Sequence, residues 1–365
     1  MGFKCGIVGL PNVGKSTLFN SLSSAGAEAA NYPFCTIEPN VGMVTVPDPR
    51  LYQLSDLVNP QNIVPTVVKI VDIAGLVKGA SKGEGLGNQF LGNIKECEAI
   101  IHVLRCFDNE NVVHVEGSVD PIRDKDIIDT ELQLKDLEYL ERKLDRTKKM
   151  TKGGNKTAMA EVKIIERAIA HIEQGLNART LDFEPEEWEV LEDVGLLTSK
   201  PVLYACNVDE DSLPDGNQYV EQVREAIQGE NAELMVISAG FEAELMELDE
   251  EEDRKEFMEA AGLTEPGLHL LIRKAYDLLH LKTYFTAGEK EVRAWTITEG
   301  MKAPQAAGVI HTDFERGFIR AEVIKFDDFV NYKSEAAVKE AGKMSVEGKE
   351  YVVKDGDVMH FRFNV

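Results

Sequence analysis

The residues with the clearest chemical potential lie near the start of the chain, at positions 9–16. They read Gly-Leu-Pro-Asn-Val-Gly-Lys-Ser and match G-x-x-x-x-G-K-[ST], the pattern of a phosphate-binding loop. Glycines let backbone N–H groups curl around a β-phosphate, and the N-terminus of a following helix adds positive potential. We expect Lys15 to contact the β- and γ-phosphates as a binding and catalytic group, and Ser16 to ligate Mg²⁺. A chance glycine turn is the alternative. The predicted phosphate-binding residues are Asn12, Val13, Gly14, Lys15, Ser16 and Thr17.

Two later segments supply further groups that a Mg²⁺–triphosphate site needs. Asp72 and Gly75 stand at the end of a β-rich run, where an aspartate can hold a water on Mg²⁺ and a glycine amide can bond the γ-phosphate. Thr36 lies between the first helix and the second strand, where a switch threonine closes on the metal and the γ-phosphate. A strand-ending turn aspartate and a solvated loop threonine are the alternatives. The predicted metal-binding residues are Ser16, Thr36 and Asp72.

The residues that would read the base follow a β-rich run at 201–207. A GTPase carries Asn-Lys-x-Asp there, and its aspartate accepts two hydrogen bonds from guanine; this chain has Asn-Val-Asp-Glu at 207–210. The longer Glu210 and the missing lysine relax the demand for guanine, and Asn207 can still bond the N7/N6 edge of adenine. We therefore predict ATP in preference to GTP, with an ordinary acidic turn as the alternative. The predicted base-contacting residues are Asn207, Val208, Glu210, Ser238, Ala239 and Gly240.

The group that positions the attacking water is not the usual one. Small signalling G proteins place a glutamine directly after the glycine of Asp-x-x-Gly, but Leu76 stands there and cannot orient water. His114 lies on a loop just past a core strand and could swing toward the γ-phosphate as a catalytic residue, although a lone histidine is often structural. His102, inside a buried strand, is the better candidate for a core histidine. Asn12 could help ligate K⁺ beside the phosphates, although asparagine is also a common turn residue.

The elements that must hold these groups form an alternating pattern. β-rich runs at 3–9, 41–46, 66–72, 99–106, 201–207 and 233–238 are separated by helical stretches such as 15–24. This alternation indicates an α/β fold with a mostly parallel sheet. Apolar residues then recur at helical spacing over 129–149 and 158–173, on either side of Gly153 and Gly154. They predict an inserted α-helical hairpin, coiled-coil-like, at about 128–198.

The character of the chain changes after about residue 281. Runs at 292–298, 307–311, 317–326 and 350–363 are β-rich, and one helical piece lies near 327–341. These features predict a separate small α+β domain. We therefore expect a first domain at 1–280, which contains the helical insertion, and a second at 281–365.

Composition limits the partners. The net charge of −24 argues against broad adhesion to nucleic acid or to an anionic membrane. Basic residues nevertheless cluster from Arg142 to Lys156, at the tip of the hairpin, as a candidate RNA contact or simply a solvated helix end. No apolar run approaches the ~20 residues that a membrane span needs. Five scattered cysteines without a C-x-x-C pair fit a reduced, cytoplasmic protein.

Taken together, the motifs resemble those of the YchF family of Obg-like ATPases, over essentially the whole length. The phosphate loop and the Asn-Val-Asp-Glu segment carry this resemblance. Further matching segments are Asn-Tyr-Pro-Phe-Cys-Thr-Ile-Glu-Pro-Asn at 31–40, Asp-Ile-Ala-Gly-Leu-Val at 72–77, Gly-Glu-Gly-Leu-Gly-Asn-Gln-Phe-Leu at 83–91, Tyr-Phe-Thr-Ala-Gly at 284–288, His-Thr-Asp-Phe-Glu-Arg-Gly-Phe-Ile-Arg-Ala-Glu at 311–322 and Asp-Gly-Asp-Val-Met-His-Phe-Arg-Phe-Asn-Val at 355–365.

The resemblance implies a P-loop G domain with a helical insertion and a C-terminal TGS domain. It implies ATP in preference to GTP, Mg²⁺ held through Ser16 and Thr36, and a catalytic role for His114. It also implies association with ribosomes and a regulatory role in translation or stress, with the basic tip and the TGS domain as expected contacts. We expect a monomer. Two other interpretations remain, a GTPase of the same fold and a nucleotide-gated ribosome or protein adaptor whose turnover is incidental.

Overall fold

The computed structural model describes residues 3–25, 40–73 and 86–364. The chain divides into two compact units. The first comprises Met1–Val44 and Lys69–Leu271, and the second comprises Thr45–Val68 and Ile272–Val365. The segment 45–68, which the sequence analysis assigned to the first domain, therefore packs within the second unit.

The described residues form the following elements. The strands are β1 Lys4–Val8, β2 Val41–Thr45, β3 Asn62–Val64, β4 Val67–Asp72, β5 Ala99–Arg105, β6 Val202–Asn207, β7 Glu233–Ile237, β8 Leu281–Ala287, β9 Glu291–Thr298, β10 Phe318–Lys325, β11 Ser345–Glu347 and β12 Asp357–Phe363. The helices are α1 Lys15–Ala25, α2 Pro49–Val58, α3 Leu86–Lys95, α4 Pro121–Met150, α5 Lys156–Ile172, α6 Pro185–Leu191, α7 Gln218–Ala226, α8 Ala239–Glu247, α9 Glu251–Ala260, α10 Gly267–Leu278, α11 Ala303–Ile310, α12 Thr312–Arg316, α13 Phe326–Tyr332 and α14 Glu335–Glu340. Single 3-10 turns lie at Ala178–Thr180 and Glu210–Ser212.

The first sheet has the strand order β2-β4-β1-β5-β6-β7. β1 pairs in parallel with β4 and β5, and β6 pairs in parallel with β5 and β7. Every residue of β5 and β6 is buried, which explains their continuous apolar sequence, because central strands of a parallel sheet are packed on both faces. The predicted α/β fold with a mostly parallel sheet is confirmed. The carboxyl ends of these parallel strands meet at one edge, which is where ligands bind in such sheets.

The helical hairpin inserted between β5 and β6 consists of α4 and α5. α4 begins at Pro121 rather than near 129, because Asp120 caps it by accepting a hydrogen bond from the Arg123 N–H (3.0 Å) and proline suits a first helical turn. The turn between the helices uses Gly153 and Gly154, whose φ angles are 98° and 81°. The hairpin packs with α6 in one hydrophobic core, whose buried residues include Leu140, Ile165, Ala168, Ile172 and Leu191.

The second unit contains a mixed sheet with the order β11-β10-β12-β8-β9-β3. The prediction of a β-rich run at 307–311 was wrong, because these residues largely belong to helix α11. Pro304 lies in the first turn of this helix, and Gln305 Oε1 accepts a hydrogen bond from the Lys302 N–H (2.9 Å). Its small buried residues Ala306 and Ala307 pack in the core that contains Tyr284 of β8. β12 likewise begins at Asp357 rather than at 350.

The segment 45–68 contributes α2 and β3 to the second unit. Leu51 and Leu54 of α2 are buried in the same cluster as Phe285 and Val292. β3 pairs in parallel with β9 at the edge of the sheet. Burial of these two leucines explains why a segment from the early part of the sequence folds with residues more than 200 positions later. None of the helices in the described part of the chain is both long and apolar enough to cross a membrane.

Candidate nucleotide-binding site

The phosphate loop runs from Gly9 to Gly14, between β1 and α1. Asn12 and Gly14 have left-handed φ angles of 63° and 94°, a region that asparagine and glycine enter more readily than other residues. A Cβ on Gly9 would lie 2.8 Å from the carbonyl oxygen of Val103, so a side chain there would collide with β5. α1 begins directly after the loop, and the Leu18 N–H donates to the Gly14 carbonyl (3.0 Å). Its first N–H groups thus open onto the loop, as in an anion-binding helix N-terminus.

Lys15 and Asp72 form an ion pair beside this loop. The parallel register of β1 and β4 places Ile7 opposite Asp72, so the end of β4 reaches the start of the loop. Both side chains are largely buried, with 9% and 18% of their surface exposed. Such a pair contributes little net stability once desolvation is counted, so its position points to ligand chemistry instead. Ser16, at the start of α1, is exposed.

The residues predicted to read the base meet through Asn207. Its Nδ2 donates to the Val13 carbonyl (2.8 Å), and its Oδ1 accepts from the Ala239 N–H (2.8 Å). Asn207 is buried, and a Cβ on Gly14 would overlap its amide nitrogen. Asn207 therefore positions the two loops, and the purine contact expected from the sequence stays a prediction. Val208 and Ser238 are buried as well, and the Ser238 side chain caps α8 through the Phe241 N–H (3.4 Å).

Glu210 is an exposed member of the base-side group. It begins the 3-10 turn Glu210–Ser212, directly after Asp209. Partial burial, together with the nearby carboxylates Glu244 and Asp211, raises the pKa of Glu210 above its usual value. Gly240 is exposed nearby, and a Cβ there would meet nothing closer than the Ser238 hydroxyl at 4.0 Å. The base side of the site is therefore acidic and open.

His114 is buried, although it lies on the loop between β5 and α4. Its Nε2 is 2.7 Å from Asp124 Oδ2 in the first turn of α4, and its Nδ1 accepts a hydrogen bond from the Glu116 N–H (3.1 Å). Asn12 ties this loop to the phosphate loop, because its Nδ2 donates to the Val113 carbonyl (3.0 Å). The sequence pointed to His114 but gave no sign of Asp124 as its partner.

Two arginines that the sequence analysis missed hold the His114 loop in place. Arg105, at the end of β5, is 2% exposed and donates to the carbonyls of Phe107, Asn109 and Val112 at 3.1, 3.2 and 2.9 Å. Arg123 donates to Asp124 Oδ1 (3.0 Å from Nη2) and to Ser118. A charged residue at the end of an otherwise apolar buried strand was the signal that could have identified Arg105.

Three predicted residues, Thr36, Gly75 and Leu76, lie outside the described residues. Within the described ranges, no group of three or more His, Cys, Asp or Glu side chains could hold a metal ion by itself. The oxygen donors near the phosphate loop are Asp72 and Ser16. They fit a metal that is held mainly by phosphates and one or two protein oxygens, as Mg²⁺ usually is.

The basic tip, residues 142–156, is partly neutralised within the first unit. Its ion pairs are Arg142 with Glu138, Lys143 with Asp193 and Lys148 with Glu166. Lys149, Lys152 and Lys156 are exposed. The positive character of the tip therefore rests mainly on the residues at and after the end of α4.

Two protein-family models match the chain. YchF-GTPase_C, described as a protein of unknown function (DUF933), matches residues 281–364. MMR_HSR1, described as a 50S ribosome-binding GTPase, matches residues 4–149. The second match includes the phosphate loop, Asp72 and the His114 loop.

Relatives match over the full length. A ribosome-binding ATPase YchF from Escherichia coli O157:H7 is 59% identical over 365 residues, which is 100% of both chains. The ribosome-binding ATPase YchF from Bacillus subtilis (strain 168) is 54% identical, again over 100% of both chains. The solved structure of the Schizosaccharomyces pombe YchF GTPase superimposes with a TM-score of 0.90 and 41% identity, over 99% of this chain and 98% of that one.

Proposed function

Because the chain belongs to the YchF family, we propose that it is a Mg²⁺-dependent ATPase that associates with ribosomes. The observation that carries the proposal is the Lys15–Asp72 pair at the open N-terminus of α1. A cation there can move onto phosphate oxygens, and the carboxylate it leaves can then hold the water shell of a metal. The bacterial relatives are named as ribosome-binding ATPases, which agrees with this assignment.

Each part of the site has a proposed role. The backbone of Asn12–Gly14 with Lys15 and Thr17 holds the phosphates, and Ser16 and Asp72 hold the metal together with Thr36. Gly75 bonds the γ-phosphate through its N–H. When bound, Mg²⁺ would neutralise the negative charge that develops on the phosphates during phosphoryl transfer. Lys15→Met should abolish hydrolysis if this site is the active one.

ATP is the proposed nucleotide, and the base side of the site supports it. Val208 stands where a GTPase has lysine, and it is buried, so no long side chain covers the base from that position. Glu210 supplies a carboxylate that is one methylene longer than the guanine-binding aspartate. The names of the relatives differ on this point, because the Schizosaccharomyces pombe structure is called a GTPase. Calorimetric titration with MgATP and MgGTP tests the proposed preference for ATP. Equal or tighter binding of GTP would refute that preference.

His114 is the proposed catalytic residue, because Leu76 cannot orient water. The loss of an orienting or acid–base residue slows hydrolysis by ~10²-fold or more, so His114→Ala should do so with little change in ATP affinity. We also propose that K⁺ binds near Asn12. The donor end of the Asn12 amide is engaged by Val113, and its oxygen is the end that a cation would need. Hydrolysis should then be faster in KCl than in NaCl at equal ionic strength.

Ribosome association is proposed to use the basic tip and residues 281–365, with ribosomal RNA as one contact. We propose that 281–365 is a TGS domain, that 1–280 contains the nucleotide-binding domain, apart from the segment 45–68 that packs within the second unit, and that the protein works as a cytoplasmic monomer. Co-sedimentation with ribosomes in ATP, ADP and GTP tests the association. A variant that binds ATP but does not hydrolyse it, yet retains full cellular function, would favour the adaptor interpretation.

A further inference from the structure

Both ring nitrogens of His114 are engaged by protein groups, so neither is free to contact a substrate. Its Nε2 contacts Asp124 Oδ2 at 2.7 Å, and its Nδ1 is occupied by the Glu116 N–H at 3.1 Å. Only 3% of the histidine side chain and 1% of the aspartate side chain are exposed. In this arrangement His114 has neither a proton nor a lone pair directed toward the phosphate loop.

The burial pattern of the loop is inverted relative to ordinary surface loops. Val113 and Val115 are 76% and 53% exposed, whereas His114 between them is 6% exposed. An arrangement that exposes two apolar side chains and buries a titratable one costs folding free energy unless the buried group is strongly hydrogen-bonded. The Asp124 carboxylate supplies that bond, so the loop conformation depends on it.

The loop is also joined to the phosphate loop. The Asn12 side chain donates to the Val113 carbonyl (3.0 Å), one residue before His114. Asp124 is fixed from the other side, because Arg123 donates to its second oxygen (3.0 Å) and Asp120 caps the helix that carries it. The contact that retains His114 therefore lies on a capped helix, and the loop it retains is joined to the phosphate loop.

We propose that Asp124 is a latch that holds His114 away from the phosphate loop and so suppresses basal hydrolysis. This inference rests on the proposed catalytic role of His114. Breaking a buried, charge-assisted hydrogen bond accounts for a suppression of about 10- to 100-fold. Hydrolysis then requires His114 to leave Asp124 and turn toward the phosphate loop.

Single-turnover hydrolysis of MgATP by Asp124→Asn tests the latch. The amide is a weaker acceptor than the carboxylate, so the variant should hydrolyse ATP about 10-fold faster than the parent. Asp126→Asn is the matched control, because it makes the same change two residues later on a side chain that is 65% exposed. It should hydrolyse ATP at the parent rate. His114→Ala and the double variant His114→Ala/Asp124→Asn should be equally slow.

The outcomes separate the latch from the function on which it rests. If His114→Ala is slow but Asp124→Asn is no faster than the parent, the latch is refuted and the catalytic role stands. Acceleration by Asp124→Asn that persists without His114 also refutes it. If His114→Ala hydrolyses at the parent rate, the catalytic role fails and the latch fails with it.

A measurement on the parent protein covers the case in which Asp124→Asn does not fold. ¹⁵N NMR of the histidine rings should show His114 protonated at Nε2, with a proton that exchanges slowly with water. A rapidly exchanging ring proton in the folded parent would overturn the proposal without any variant.

Discussion

The side chain of Asn207 joins the carbonyl of Val13 in the phosphate loop at 2.8 Å, and it joins the start of α8 through the Ala239 N–H at the same distance. The amide thus uses both of its ends on backbone groups of two different loops. Because these loops would hold the phosphates and the base respectively, Asn207 fixes the distance between the two halves of the site.

Asn207→Ala should weaken the binding of ATP and GTP alike. The substitution removes two buried hydrogen bonds and leaves the Val13 carbonyl and the Ala239 N–H unpaired, so both loops lose their relative placement. We expect a loss of ~10- to 100-fold in affinity for each nucleotide. Calorimetry with both nucleotides checks this, with Asn217→Ala as a control, since that asparagine caps α7. A loss confined to ATP would instead show that Asn207 reads the base.

Lys15→Ala should abolish binding of Mg-nucleotide while the protein remains folded. The variant lacks the cation for the phosphates and leaves Asp72 without its ion-pair partner, so a carboxylate would face the phosphates alone. We expect an affinity loss of ~10²-fold or more, as for truncating one partner of a buried charge pair. Fluorescent-nucleotide titration measures it, and Lys4→Ala, whose partner Glu96 is exposed, serves as the control. Near-normal binding by Lys15→Ala would place the nucleotide elsewhere.

His102 makes the folded protein sensitive to acid. Burial lowers its pKa from 6.5 to about 4, and its Nε2 has no hydrogen-bond partner among the described residues. The unfolded chain therefore takes up a proton at a higher pH than the folded chain does. Because of this difference, the free energy of unfolding falls by about 3 kcal/mol as the pH is lowered from 6.5 toward 4. Above pH 6.5, His102 is neutral in both states and causes no such loss.

His102→Leu should remove this acid sensitivity. The leucine is similar in size and has no polar atom to desolvate, so we expect it to be neutral or to stabilise the protein by about 1 kcal/mol at pH 7. Its advantage over the parent should grow as the pH falls from 6.5 to 5. Urea unfolding at pH 7, 6 and 5 measures this, with His311→Leu at an exposed position as the control. If the stability difference between His102→Leu and the parent did not change with pH, the lowered pKa of His102 would be contradicted.

Lys149→Gln/Lys152→Gln should weaken ribosome binding and flatten its dependence on salt. Both side chains are exposed at the tip, whereas Lys148 shares its charge with Glu166 (2.9 Å). Each lost phosphate contact reduces the slope of log affinity against log salt by nearly one unit. Co-sedimentation across a salt series tests this against Lys163→Gln/Lys255→Gln, which removes the same charge elsewhere on the first unit. Identical slopes for the two variants would indicate that the tip is a solvated helix end that does not contact the ribosome.

Local sequence was sufficient for the phosphate loop, the parallel sheet and the hairpin. The loop needs glycine at fixed positions, and β5 and β6 need unbroken apolar runs, so each leaves a signal within a few residues. The prediction failed at 307–311, where Val309 and Ile310 suggested a strand. This segment forms a helix because the buried alanines of α11 pack in a core with Tyr284. Local propensity cannot predict such a contact.

The sequence by itself therefore determined that Lys15, Asp72 and Asn207 end strands or begin a helix at one edge of a parallel sheet. Only the tertiary structure decided what these side chains contact. It turned Asn207 toward Val13 and Ala239, buried His114 against Asp124, and packed the segment 45–68 with β8 and β9. The physical reason is that strand and helix periodicity are set by neighbours in sequence, whereas hydrogen-bond partners and buried contacts are set by residues that only folding brings together.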